Sequence, residues 1–126
     1  MDTPRFILDS NVLIAAMNKE LDIFAVIAGL SPCDVFINLI VEIETLARPG
    51  MTGEEETQGR ILLSGFKWAE IDRAAREYAV AIRRSKKLLL PDALIAAAAL
   101  SLNATVLSND PHLRDFQWPG YSARGL

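Results

Sequence analysis

The amino-acid sequence predicts one α/β domain over residues 1–126, a three-layer sandwich around a central, mostly parallel sheet. Three observations lead there. Short apolar runs alternate with longer helical patterns along the whole chain, the signature of parallel strands joined by crossover helices. No repeat, low-complexity tract or linker divides the 126 residues, a length that supports one core. The stretch FILDSNVLI, Phe6 to Ile14, then runs straight from three apolar residues into an aspartate. In open sheets of this class, polar sites gather beyond the C-terminal ends of the strands.

The elements follow in order. Arg5 to Leu8 reads as the first strand, with a helix from about Asn11 to Met17 after it. A second, strongly apolar helix runs from about Leu21 to Leu30. The Ser31-Pro32 turn signal introduces a strand from Asp34 to Ile37. Asn38 starts a helical pattern through Ala47, closed by Pro49. Thr52 and Glu55 have capping-box spacing and open a helix from about Gly53 to Leu63. Lys67 to Ile71 is a short strand candidate. Asp72 then has the chemistry of an N-cap for an amphipathic helix to about Ser85. Pro91 opens an alanine-rich helix to about Leu102. Thr105 to Leu107 is β-branched and apolar, Asn109 to Asp115 is about one helical turn, and the tail from Trp118 is an edge-strand candidate.

Composition narrows the function. Apolar residues make up 51% and charged residues 23%, which suits a globular chain and not a disordered one. The single cysteine, Cys33, forbids an internal disulfide and fits a reducing cytosol. The opening MDTPRFILDS has too short an apolar run, and too much acid, for a signal peptide. The most apolar stretch, Ala93 to Leu100, is far below the roughly 20 residues that span a bilayer. A cytoplasmic protein without a membrane is therefore expected. The net charge of −3 is unlike the usual basic nucleic-acid binder. Basic residues do cluster at Arg83, Arg84, Lys86 and Lys87, as a solvated helix end or as phosphate contacts.

The acids carry the chemical argument. Asp9 and Asp110 each follow a strand, so they land on one rim if those strands are parallel neighbours. Singly, each has a structural explanation. Asp9 and Asp110 can cap helices, and Asp92 suits the first turn of its own. Glu42 and Glu44 flank the apolar stripe of their helix on opposite sides, each about 100° from its centre. Periodicity does not choose between them. Jointly, three or four carboxylates on one rim would repel one another and titrate upward unless neutralised. Mg²⁺ or Mn²⁺, hard cations that prefer oxygen, are the economical remedy. Such a site suits phosphodiester hydrolysis.

Four stretches resemble the motifs of PIN-domain nucleases, in particular the VapC-type toxins of toxin–antitoxin pairs. LDSNVLI is similar to the opening motif, with Ser10 in a threonine place. FINLIVEIETL is similar to the second, whose acid lies six residues after a serine; counted from Asn38, that spacing selects Glu44. LPDALIAAAAL resembles the third motif and selects Asp92. TVLSNDPHLRDF resembles the fourth, with Ser108 at a usual threonine and both Asp110 and Asp115 available as the acid; Asp110 is nearer the strand end.

The resemblance implies a metal-dependent ribonuclease. Asp9, Glu44, Asp92 and Asp110 would be catalytic and hold one or two Mg²⁺ or Mn²⁺ ions. Ser10, Asn11 and Ser108 would orient carboxylates or water. RNA is the implied substrate, cut to 5′-phosphate and 3′-hydroxyl ends. A cognate antitoxin covering the acidic groove and a homodimer are the implied partners. Leu21 to Leu30 is either a covered core helix or part of such an interface. His112, the only histidine, reads as a surface residue by a proline turn. Trp68, Phe116 and Trp118 read as packing residues. The competing readings are a catalytically silent RNA- or protein-binding module, or a receiver-like domain using Asp9. The receiver reading lacks the expected lysine after the late strand, where Ser108-Asn109-Asp110 stands instead.

Overall fold

A computed structural model describes residues 3–126; Met1 and Asp2, part of the segment read as unlike a signal peptide, lie outside the described residues. The order is β1 (Arg5–Leu8), α1 (Ser10–Met17), α2 (Ile23–Leu30), β2 (Asp34–Ile37), α3 (Leu39–Leu46), α4 (Gly53–Leu63), β3 (Lys67–Trp68), α5 (Arg73–Arg84), α6 (Leu90–Leu102), β4 (Thr105–Leu107), α7 (Pro111–Arg114) and β5 (Ser122–Arg124). The five strands lie in the order β3-β2-β1-β4-β5. Every pairing is parallel, so the sheet goes beyond the mostly parallel expectation.

Burial explains the patterns. Phe6, Ile7 and Leu8 of β1 are consecutive and all buried, because a central parallel strand is covered on both faces. The edge strands β3 and β5 are short and largely exposed, which limits unwanted pairing. Helices α1, α3 and α4 pack together, while α5 packs on α6 and α6 lies against β1 and β4. Gly59 marks a close approach in the first group: a Cβ there would sit 3.0 Å from Leu46 and 3.2 Å from Met17. Alanine dominates α6 because the helix is enclosed; Ala93, Ile95, Ala96, Ala97, Ala98 and Ala99 are all buried. Asn103 ends it in the left-handed region, with φ 54° and ψ 47°.

Several expectations change in detail. β3 stops at Trp68 instead of Ile71, because β2, its only neighbour, ends at Ile37, which pairs with Trp68. Asp9 and Asp22 act as side-chain caps, so α1 begins at Ser10 and α2 at Ile23. The predicted capping box of α4 forms, with Thr52 and Glu55 bonding reciprocally. In the tail, Gly120 turns the chain with φ 81° before β5 begins. Phe116 is buried and stacks on Trp118 at 5.8 Å, as packing residues should. Trp68 instead is 43% exposed on the edge strand. The apolar α2 is no core helix: it buries only Ile23, while Phe24 is 58% exposed and stacks on Phe66.

Asn38 ties two helices together from a fully buried position. Its Oδ1 accepts from the Val41 amide at 3.2 Å, capping α3, and its Nδ2 donates to the Leu94 carbonyl of α6 at 3.5 Å. Replacing it with alanine leaves a buried amide N–H uncapped, at a cost of about 1–3 kcal/mol. Urea unfolding should show that loss for Asn38→Ala and a smaller one for Asn38→Ser, which keeps a capping oxygen. Equal stability of parent and alanine variant would show that this buried tie contributes nothing.

Candidate functional site

The sheet order brings β1 and β4 side by side, in the register Leu8↔Leu107. The chain builds β2 and β3 on one side of β1, then crosses to place β4 on the other. The crevice past the ends of β1 and β4 is thus the topological switch point, where open α/β sheets form their sites. Asp9 leaves β1 there, its amide still bonded to the Leu107 carbonyl at 3.0 Å. Ser108 and Asp110 follow β4 onto the same rim.

Asp9 is the fixed centre. It is buried, one oxygen accepting from the Ser10 amide and the other from the Ser108 hydroxyl, both at 2.8 Å. The Ser108 oxygen in turn accepts from the Asp110 amide at 2.9 Å and from Asn11 Nδ2 at 3.5 Å. One hydroxyl therefore locks the two acids that follow β1 and β4. The Ser10 hydroxyl donates to Glu44 Oε1 at 3.0 Å, and this bond reaches α3 across 34 residues of sequence. Asp110 caps α7 by accepting from the His112 amide at 2.9 Å, and the same oxygen lies 3.0 Å from His112 Nδ1.

The electrostatics follow from this packing. Burial raises the Asp9 carboxyl above its ordinary value; the Ser108 and Ser10 hydrogen bonds oppose this, and the Glu44 and Asp110 charges add to it. Asp92, in the first turn of α6, is pushed up to about 6, first by burial and then by the charges of Asp110, Asp9 and Glu44, with His112 acting the other way. Asp92 therefore feels the other three sequence-selected acids, and Asp9 feels two of them. Asp115 is not among the charges that raise Asp9 or Asp92; it is exposed at the end of α7. Glu42, similarly, makes no bond to the rim, whereas Glu44 does. Among the described residues, no three His, Cys, Asp or Glu side chains stand close enough in this arrangement to enclose a metal ion. The rim is a charged neighbourhood and not a closed ligand shell. Each Asp9 oxygen retains a lone pair, and the exposed Glu44 has torsional freedom to turn inward.

Sequence reasoning missed Tyr121. Burial, then the Asp9 and Asp92 charges, raise its phenol well above the ordinary range, and its hydroxyl donates to the Leu113 carbonyl at 2.7 Å. No local pattern marks it, since the turn at Gly120 and the β4–β5 pairing bring it there.

Fold and rim define a parallel α/β domain with an acidic switch-point crevice. The PIN domain family profile matches residues 6–119, and the chain belongs to that family. No curated protein matches the chain in sequence. Among solved structures, VapBC2 from Rickettsia felis bound to a promoter DNA fragment has a similar chain, with TM-score 0.80, 21% identity and coverage of 97% of this chain and 98% of that one. A toxin–antitoxin complex from Klebsiella pneumoniae aligns with TM-score 0.71 and 29% identity, over 91% of this chain and 93% of that one. DNA-bound VapBC from Salmonella typhimurium aligns with TM-score 0.73 and 21% identity, over 98% of each chain.

Two titrations test the electrostatics. Because the Ser108 hydroxyl favours the Asp9 carboxylate, Ser108→Ala should raise the Asp9 pKa further, as carboxyl ¹³C NMR would reveal; an unchanged value refutes the assigned bond. For Asp92 the folded pKa, about 6, exceeds the ordinary 3.8. The native chain then holds more protons than the unfolded one between those values. The contribution of Asp92 is full below the lower value and is lost as pH rises through the upper. Asp92→Asn should therefore flatten the fall in urea-measured stability between these two pH values. A fall as steep in the variant as in the parent would remove Asp92 as its source.

Proposed function

We propose that this PIN domain is a metal-dependent endoribonuclease, the toxin of a toxin–antitoxin pair, with Asp9, Glu44, Asp92 and Asp110 as its catalytic and metal-holding residues. The observation that carries the reading is the gathering of carboxylates at the switch point, where Asp110, Asp9 and Glu44 all raise Asp92, in a chain of the PIN domain family. The donor set fits Mg²⁺ or Mn²⁺, since it is all hard carboxylate oxygen and gains stability from a neutralising charge. When bound, such an ion supplies charge stabilisation to a phosphodiester and acidity to a water.

The chain's own residues prepare that chemistry. Ser108 and the Ser10 amide hold Asp9 in one orientation. The Ser10 hydroxyl keeps Glu44 at the rim. Asn11 restrains Ser108 and is 3.5 Å from the Asn109 amide, which steadies the loop carrying Asp110. Asp92, raised by burial and by the neighbouring carboxylates, would be held in its ionised form by a neutralising cation. The products would carry 5′-phosphate and 3′-hydroxyl ends.

The toxin assignment draws support from the likeness to the Klebsiella pneumoniae toxin–antitoxin complex. The uncovered face of α2 around Phe24 suits an antitoxin segment that continues over the acidic groove, and the exposed Val80, Leu89 and Leu90 suit a homodimer. No helix among the described residues is long and apolar enough to cross a membrane. A catalytically silent RNA- or protein-binding module is the second reading, favoured by the lack of a closed ligand shell.

Incubation of the protein with RNA and Mn²⁺ separates the two. The nuclease reading expects cleavage that EDTA abolishes and that Asp9→Asn and Asp92→Asn each reduce by at least about 100-fold. Cutting that survives in both variants points to a contaminant or to a different site, and a parent that never cuts hands the case to the silent module.

A further inference from the structure

Beside the acidic rim lies a second feature, which the catalytic reading leaves unused. A cleft of about 480 Å³ is lined by Lys87, Pro111, His112, Asp115, Phe116 and Gln117. It joins the α5–α6 connection to α7, and it begins at the residue following Asp110. The geometry points to this cleft as the subsite for the nucleotide that flanks the scissile phosphate of a single-stranded RNA.

The lining has the parts such a subsite needs. Lys87 is exposed, and none of the ion pairs of the described residues (Arg60–Glu56, Lys67–Asp34 and His112–Asp110) engages it. Its ammonium is therefore available to a phosphate. The turn that presents it is held: Arg83 Nη1 donates to the Leu88 carbonyl, and the Lys87 amide donates to Ser85 Oγ at 3.3 Å. Phe116 forms a rigid floor, stacked on Trp118 and packed edge-on against Tyr121 at 5.0 Å. His112 offers an exposed ring restrained through Nδ1 by Asp110, so that its face can stack on a base. Gln117, also exposed, carries a donor and an acceptor for a base edge.

Charge makes the choice of ligand. The rim repels phosphates on its own account, and Asp115 adds a carboxylate to the cleft. Lys87 is the cation there that compensates. A strand whose phosphate reaches Asp110 enters the cleft next, past the His112 ring and Lys87. An apolar peptide would leave Lys87 without a matched partner, and an acidic one would offer no base face to His112 or Phe116. Single-stranded RNA satisfies phosphate, base face and base edge together.

The inference rests on the ribonuclease reading for its substrate, and binding tests it separately from cleavage. Fluorescence anisotropy of a short labelled single-stranded RNA, in EDTA, gives Kd for the full chain. Lys87→Ala should raise Kd about 5- to 10-fold and make the dependence of log Kd on log salt shallower by about 0.7, the loss of one phosphate contact. Gln117→Ala should change the relative Kd values of the four homopolymeric RNAs. Lys67→Ala, on the opposite edge strand, should do neither. Parent-like binding by the Lys87 and Gln117 variants, an equal effect of Lys67→Ala, or no binding of RNA by the parent overturns the subsite. Bis(p-nitrophenyl) phosphate with Mn²⁺ reports on the catalytic reading alone, because it lacks a flanking nucleotide. Its hydrolysis should be unchanged in Lys67→Ala and lost in Asp9→Asn, whatever the cleft contributes to RNA binding. A parent that binds RNA through the cleft but hydrolyses neither substrate would sustain the subsite and defeat the nuclease assignment.

Discussion

The parallel pairing of β1 with β4 is the constraint on which this molecule turns. It joins strands nearly 100 residues apart in sequence and sets Leu8 opposite Leu107. The pairing of Asp9 with Ser108 at the rim follows from that register. Asp9 and Ser108 each leave their strand at the next residue, so a carboxylate and a hydroxyl meet at 2.8 Å with no side chain reaching far. A slip of one residue would turn the buried Ile7 and Val106 to the opposite faces and separate Asp9 from Ser108. The core and the crevice are thus specified by the same ladder.

The acids impose a cost that the scaffold tolerates. Asp9 is buried and flanked by like charge, and Asp92 is shifted for the same two causes. Neither arrangement favours folding. The hydrogen bonds from Ser108 and Ser10 offset part of it, and an enclosed α6, with a fully buried Ile95 and a run of buried alanines, supplies apolar burial next to the strained position. Such local conflict, set in an otherwise consistent fold, is what the proposed metal-holding role would account for.

Much of this was legible in the residues themselves. The consecutive burial of Phe6, Ile7 and Leu8 shows in their unbroken apolar run, and Thr52, Asp72 and Asp110 announce their helices by capping chemistry. Element ends were less readable where tertiary pairing decides them, as when β3 halts with β2. Trp68 misled because large apolar side chains usually pack, and here the sheet edge leaves it half outside; for α2, read as either a core or an interface helix, the uncovered face around Phe24 removes the first alternative. At the crevice, proximity of strands implied Asp9 and Asp110, but the helix pattern left Glu42 and Glu44 equal. The spacing of the resembled motif pointed to Glu44, and the Ser10 hydroxyl bonds to it in three dimensions. Tyr121 was invisible because its place depends on how the chain returns beside β4.

The aromatic stack beneath the cleft has an optical consequence. Phe116 stands between the cleft and the indole of Trp118, and only one other tryptophan exists, Trp68 on the far edge strand. A molecule settling on Phe116 would disturb the half-shielded emitter while the solvent-facing one stays constant. The protein therefore contains an intrinsic fluorophore beside its crevice and an internal reference away from it, without any dye.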